Sequence, residues 1–166
     1  SSKNIVAFTE ANNLYYIDNT NSKVAITADT NANIVSGQTY ARSEFGISGG
    51  IFWSPKSTYL AFYQKDETDV ADYPLLDITE TPGKLMNIKY PMIGQKSEKP
   101  KVGIYNLANK KTIFITPNGK SDSYLTNLSW TPDEKYIIIA ELNRGQNDMQ
   151  LNVYNAKTGA FVRTLL

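Results

Sequence analysis

The residue types that most often carry out catalysis are missing from this chain. Its 166 residues include no cysteine and no histidine. Disulfides, thiolate nucleophiles and cysteine metal sites are therefore excluded, and a Ser-His-Asp or Cys-His site cannot be built from this chain alone. The densest carboxylate group, Asp66, Glu67, Asp69 and Asp72, lacks the glycine and the terminal glutamate of an EF-hand loop. We interpret this group as a solvated strand end, and we predict no metal site and no cofactor.

A second polar stretch, residues 143–147, combines Arg144 with three amide side chains. Two interpretations are open. The stretch is either a contact patch or a turn in which the arginine and amide side chains bond backbone groups between two strands. These residue types favour the turn.

Composition narrows the classes of partner. The formal net charge is +1, and no basic block or stripe is present. We therefore predict no nucleic-acid partner. No apolar run approaches the length of a transmembrane helix, so we predict no membrane insertion. Aromatic residues make up 11% and hydrophobic residues 41% of the chain, which indicates a folded domain with a core.

Two segments of the sequence, each containing one tryptophan, share one pattern. Residues 51–62 and 128–139 each contain an apolar strand ending in tryptophan, a Ser/Thr-Pro turn and a second apolar strand. Proline cannot donate to a strand ladder and pre-sets φ for a turn. Each segment is therefore predicted to be a β-hairpin, and the pair to be one unit used twice. Such repetition is typical of a β-propeller.

Short apolar strands separated by turns extend this pattern over the chain. We predict an all-β fold, a partial β-propeller with two complete four-stranded antiparallel blades at residues 47–116 and 124–165 and a three-stranded partial blade at about residues 4–27. Residues 33–37 are expected to be extended at most, and residues 38–46 to hold a single helical turn. Because each blade buries its faces against neighbours, we expect a fragment of a larger propeller with two exposed apolar end faces.

A long insertion, residues 66–100, interrupts the blade predicted at residues 47–116. Loops of this length inside a compact repeat are usually functional or partly structured. Residues 85–90 have a strand pattern, so we expect an extended hairpin arm over residues 71–95. Its apolar side chains favour burial against another surface. They are Leu75, Leu76, Ile78, Leu85, Met86, Ile88 and Ile93.

Three stretches of the sequence resemble a known family. They are residues 43–55, which end in Trp53-Ser54-Pro55; residues 66–94, which include Tyr73-Pro74 and Tyr90-Pro91; and residues 141–147. In order and spacing they are similar to the N-terminal β-propeller domain of bacterial dipeptidyl peptidase IV-like serine peptidases, in the prolyl oligopeptidase superfamily. The resemblance covers nearly the whole chain. It implies an eight-bladed propeller over an α/β-hydrolase domain whose Ser, Asp and His release dipeptides from peptide N-termini.

The resemblance also implies a substrate site. In this family a pair of acidic side chains on a short helical insertion binds the free α-amino group of the substrate. Counting back from Trp53 without a gap places the pair at Arg42 and Ser43, neither of which can serve. A shift of one residue places Glu44 at the second acidic position, so Glu44 is the candidate for binding the substrate N-terminus. The alternative is that Glu44 is an ordinary surface acid.

No catalytic residue is assigned, because the chain has no histidine and we expect no Gly-x-Ser-x-Gly nucleophile elbow. We expect the fragment itself to be inactive. The resemblance further implies peptide substrates with a free N-terminus, a homodimer formed through the arm at residues 71–95, and a periplasmic or cell-envelope location. A function of another class, a non-catalytic propeller that binds proteins, remains the alternative.

Overall fold

The protein is built almost entirely from antiparallel β-strands. The computed structural model describes residues 5–119 and 122–166, apart from the side chain of Arg42. In these ranges the one helical element is the 3-10 turn Ala41–Ser43. In chain order the strands are β1 (Val6–Glu10), β2 (Asn13–Ile17), β3 (Lys23–Ala25), β4 (Ile34–Ser36), β5 (Ile51–Trp53), β6 (Tyr59–Asp66), β7 (Asp72–Asp77), β8 (Lys84–Lys89), β9 (Lys99–Asn106), β10 (Lys111–Phe114), β11 (Tyr124–Trp130), β12 (Tyr136–Leu142), β13 (Met149–Asn155) and β14 (Phe161–Thr164).

These strands form four sheets. The first has the order β1-β2-β3 and the third the order β11-β12-β13-β14. The second has the order β10-β9-β6-β4, with β5 also paired to β6, and β7 and β8 form a separate hairpin. The predicted all-β fold of antiparallel sheets is confirmed, and so is the helical turn within residues 38–46. The assignment of sheets to numbered blades stays a prediction.

The second sheet contains one strand more than the sequence predicted. Strand β4 pairs with the end of β6, with Ile34 opposite Asp66. Strand β5 pairs with the other end of β6, with Ile51 opposite Phe62. Two short strands therefore share one edge of β6. The sequence did not predict a strand at residues 33–37, because a strand of three residues is too short to show alternation. Its hydrogen-bonded partner, β6, is also distant in the sequence.

The two tryptophan hairpins have the same turn geometry. The Ser57 N–H donates to the Ser54 carbonyl at 2.8 Å, and the Glu134 N–H donates to the Thr131 carbonyl at 2.9 Å. Ser57 and Glu134 both have positive φ, 57° and 60°. The prediction of one unit used twice is thus confirmed at the level of individual backbone bonds.

Neighbouring sheets pack through two apolar clusters. One cluster joins the second and third sheets and includes Tyr63, Val102, Leu125 and Ile139. The other joins the first and second sheets through residues such as Leu14 and Phe62.

Polar contacts also join the second and third sheets. The Trp130 indole N–H donates to the Phe52 carbonyl at 3.1 Å. The Glu134 carboxylate accepts from the Lys56 N–H at 2.6 Å. The clusters and these bonds fix the order of the sheets as first, second, third.

Apolar side chains on the last strand remain accessible. Phe161 and Val162 of β14 are 38% and 44% exposed. This is expected for the outer sheet of a stack whose inner faces are buried. No helix in residues 5–119 and 122–166 has the length and apolar character needed to cross a membrane.

Candidate functional site

A pocket of about 390 Å³ lies where the helical turn, the base of the insertion and the third sheet meet. Its walls come from six residues between Gln38 and Phe45, from the ends of β6 and β8, and from the chain leading into β9. Tyr124 of β11 and Arg144 in the turn between β12 and β13 complete the walls. Six charged side chains line it. They are Glu44, Lys65, Glu67, Lys89, Glu98 and Arg144.

Buried Tyr40 fixes the helical turn in place. Its hydroxyl accepts from the Leu125 N–H at 2.6 Å and donates to the Leu125 carbonyl at 2.7 Å. Its ring lies edge-on to Tyr63, with ring centroids 5.1 Å apart. Burial raises the pKa of Tyr40 well above its ordinary value, so the hydroxyl stays neutral and can donate. The turn is therefore attached to the neighbouring sheet before any ligand binds.

The backbone around the turn is strained. Ala41, Ser43 and Phe45 have positive φ of 48°, 61° and 55°. Such conformations cost non-glycine residues of order 1–3 kcal/mol and tend to occur at functional sites. Three such residues thus lie within the segment that contains Glu44.

Glu44 follows this turn directly. Its backbone N–H donates to the Ala41 carbonyl at 3.0 Å, and its carbonyl accepts from the Ile47 N–H at 3.0 Å. Its side chain is exposed, lines the pocket and has no cation or hydrogen-bond donor among the described residues. The backbone bonds thus fix the point from which the side chain leaves the turn, and no described residue occupies the carboxylate.

Glu98 enters the pocket from the far end of the insertion. One of its carboxylate oxygens accepts from the Ala41 N–H at 3.0 Å, so it supports the start of the helical turn. Sequence reasoning missed this residue. No local signal marks it, because its contact depends on how the insertion folds back.

The other pocket charges are largely neutralised. Lys65 lies 2.6 Å from Glu67, and both side chains are mostly buried. Lys89 lies 3.1 Å from Asp72 and donates to the Val70 carbonyl at 3.0 Å. These contacts pair lysines with two members of the acidic group that the sequence singled out.

A third member of that group, Asp69, also has lysine partners. Lys99 donates to its carboxylate at 2.9 Å. That hydrogen bond, together with the positive charge of Lys96, holds the pKa of Asp69 below its usual range. In the described ranges no group of three or more His, Cys, Asp or Glu side chains is placed to hold a metal ion.

Residues 143–147 form a tight turn, as the favoured interpretation predicted. The Arg144 side chain, however, does not bond the backbone of the turn. The amides do so: the Asn147 N–H donates to the Asn143 side chain at 3.1 Å. The Arg144 guanidinium instead lies over the Tyr124 ring, 4.7 Å from its centroid. Phe45 packs against the same ring with centroids 4.6 Å apart. The turn therefore presents a cation to the pocket.

One string of residues matches a catalytic motif by letters alone. Gly46, Ser48 and Gly50 have the spacing of Gly-x-Ser-x-Gly, so the expectation that the sequence lacks this motif was wrong. A nucleophile elbow lies between a strand and a helix. Here the string lies between the 3-10 turn and strand β5, and the chain has no histidine to act as base. Ser48 is therefore not assigned as a nucleophile.

Comparison with known proteins identifies the family. The family described as the dipeptidyl peptidase IV (DPP IV) N-terminal region matches residues 1–165. The chain belongs to this family. The resemblance predicted from the sequence is confirmed.

Solved structures and curated relatives agree. A Bacteroides ovatus structure assigned as a dipeptidyl aminopeptidase IV is 48% identical, with a TM-score of 0.86 over 97% of this chain and 22% of that one. Porphyromonas gingivalis dipeptidyl peptidase 4 is 25% identical, with a TM-score of 0.86 over 97% and 24% of the two chains. Dipeptidyl peptidase 4 of the cat, Felis catus, is 28% identical over 95% of this chain and 23% of that protein. The chain thus spans about a quarter or less of the relatives it matches.

A second exposed feature, the hairpin β7-β8, projects from the base of the pocket. Leu76 and Leu85 lie opposite each other in its ladder and are 65% and 72% exposed. Ile78, just beyond β7, is 80% exposed. The predicted hairpin arm is present, and its apolar side chains are not buried within the described part of this chain.

Proposed function

We propose that this chain is part of the propeller of a dipeptidyl peptidase IV-like serine exopeptidase and that it binds the free N-terminus of the peptide substrate. The whole enzyme would release dipeptides from peptide N-termini. The nucleophile, acid and histidine would lie outside this chain, which has no histidine. The fragment alone would be inactive, and its role would be to gate entry and to hold the substrate.

One observation carries this proposal. Glu44 presents in the pocket a carboxylate that has no partner among the described residues, from a strained turn that Tyr40 attaches to the next sheet. A carboxylate facing a peptide α-ammonium makes charge-assisted hydrogen bonds, which are about twice as strong as neutral ones. Because the turn is fixed, a bound N-terminus would hold the scissile bond at a set distance from the pocket.

The second acid of the family pair has no equivalent at the neighbouring position, which is Ser43. Glu98 lies in the same pocket, and one of its oxygens is used by the Ala41 N–H. We assign Glu98 the role of positioning the turn, and Glu44 that of contacting the ammonium.

The test is the variant Glu44→Gln in the full-length protein. Removing the charge while keeping the shape is expected to lower kcat/KM for a dipeptidyl substrate about 10- to 100-fold, the size of a lost hydrogen bond to a charged group. Glu10→Gln is the matched control. Glu10 is an exposed acid of β1, bonded to Lys23 at 2.7 Å and outside the pocket. An unchanged kcat/KM for Glu44→Gln would show that Glu44 is an ordinary surface acid.

We also propose that the arm at residues 71–95 forms the contact of a homodimer. Exposed leucines at opposite ladder positions, Leu76 and Leu85, support this proposal. Apolar patches of this kind usually mark interaction sites.

A further inference from the structure

Arg144 is the one pocket cation for which the described residues supply no anion. Lys65 has Glu67, and Lys89 has Asp72. Arg144 has the Tyr124 ring at 4.7 Å, and none of the ion pairs among the described residues includes it. Among the pocket carboxylates, Glu44 is the one without a described donor. Within the described part of the chain, the pocket therefore offers one negative group and one positive group that lack an ionic partner.

The guanidinium lies against an aromatic ring that the Glu44 segment also contacts. Phe45, from the segment that carries Glu44, packs on Tyr124 at 4.6 Å, and Arg144 lies over the same ring. Stacking on a ring face leaves the N–H groups at the guanidinium edge available to a planar carboxylate. The turn that carries Arg144 is tied by Asn143, whose side-chain amide donates to Asn147 at 2.8 Å.

A ligand that satisfies both free groups carries an ammonium and a carboxylate close together. A peptide whose first residue is aspartate or glutamate has both. If Glu44 binds the α-ammonium, the side chain nearest to it is that of the first residue. We propose that Arg144 binds the side-chain carboxylate of the first substrate residue and makes the enzyme favour acidic residues there. This inference rests on the proposed function of the pocket.

The test compares two substrates that differ in one charge, Asp-Pro and Asn-Pro amides of aminomethylcoumarin, with the full-length protein. The wild type is expected to show a kcat/KM about tenfold higher for the aspartyl compound, the scale of one charge-assisted hydrogen bond. In Arg144→Gln this ratio is expected to fall to about one. Arg144→Lys keeps the charge and loses the planar guanidinium. Its ratio is expected to lie between those of the wild type and Arg144→Gln.

Arg163→Gln is the matched control, since Arg163 is an exposed arginine of β14 outside the pocket. Its ratio should equal that of the wild type. Either an unchanged ratio in Arg144→Gln or the absence of a wild-type preference would overturn the inference.

Calorimetry with the dipeptides Asp-Pro and Asn-Pro separates this inference from the proposed function. If the protein hydrolyses neither amide, the proposed exopeptidase fails, and dipeptide binding decides the role of Arg144. Tighter binding of Asp-Pro that Arg144→Gln abolishes would support the inference, and equal binding of the two dipeptides would overturn it.

Discussion

The Tyr40 hydroxyl makes two hydrogen bonds that connect the pocket to the neighbouring sheet. Both go to the backbone of Leu125, which is 1% exposed. Tyr40→Phe would leave a buried N–H and a buried carbonyl without this partner. We expect a loss of about 1–3 kcal/mol in the free energy of unfolding, measured by urea denaturation. Tyr15→Phe, at a partly exposed position of β2, is the control, and equal midpoints for the two variants would contradict this role of Tyr40.

Glu98 is predicted to act through the helical turn. Because its contact is an acceptor for the Ala41 N–H, Glu98→Gln keeps an oxygen that can take the same bond. We expect Glu98→Gln to retain most of the kcat/KM for a dipeptidyl substrate. Glu98→Ala, which removes the acceptor, is expected to lose activity severalfold.

Equal losses in both Glu98 variants would instead mean that the charge itself is needed. In that case Glu98 would contact the substrate ammonium as the second acid, and the positioning role would be wrong.

Glu134 makes the stability depend on pH. Burial alone would raise its pKa, but hydrogen bonds from Ser54, Thr58 and the Lys56 N–H hold the pKa below the usual glutamate value. A folded-state pKa below the unfolded one gives stability that is complete above about pH 4–5 and is lost as the pH falls through the folded value. The stability advantage of wild type over Glu134→Gln should therefore be largest near neutral pH and shrink in acid. Urea unfolding at pH 7, 5, 4 and 3 measures it, and a constant difference would contradict the assignment.

At the scale of elements, the arm is the feature with the clearest prediction. Leu85→Lys places a charge on the exposed leucine pair of β7 and β8. If this surface forms the homodimer, the full-length variant should elute as a monomer in size-exclusion chromatography with light scattering. Asn109→Lys, in the exposed turn between β9 and β10, should stay dimeric. A dimeric Leu85→Lys protein would show that the arm is not the contact.

The sequence predicted those elements whose signals are local, and it missed those that depend on residues distant in the chain. The tryptophan hairpins were predictable because Pro55 and Pro132 mark their turns. Strand β4 was not, because its pairing partner β6 lies about 30 residues away. Local patterns describe hairpins better than they describe edges shared by two strands.

The pocket shows the same division. Glu44 was proposed because the family resemblance assigns it, and the helical turn before it was expected from the sequence. The positions of Glu98 and Arg144 depend on the fold of the insertion and on contact between two sheets. Neither contact leaves a local pattern, so only coordinates could place these residues in one site.

At the scale of the whole molecule, the sheets act as a stack that holds one pocket at a junction. The chain covers 22% of the Bacteroides ovatus structure that it resembles, with a TM-score of 0.86. A stack of this kind supplies rigid support, while the chemistry proposed here depends on residues outside the chain. The central claim is that the pocket recognises a free peptide N-terminus.

The most direct measurement compares hydrolysis of Ala-Pro-aminomethylcoumarin with that of its N-acetylated form by the full-length protein. The account predicts cleavage of the free compound and a loss of at least about 100-fold on acetylation, because the ammonium that Glu44 would bind is removed. Equal cleavage of both compounds, or cleavage of neither, would contradict it.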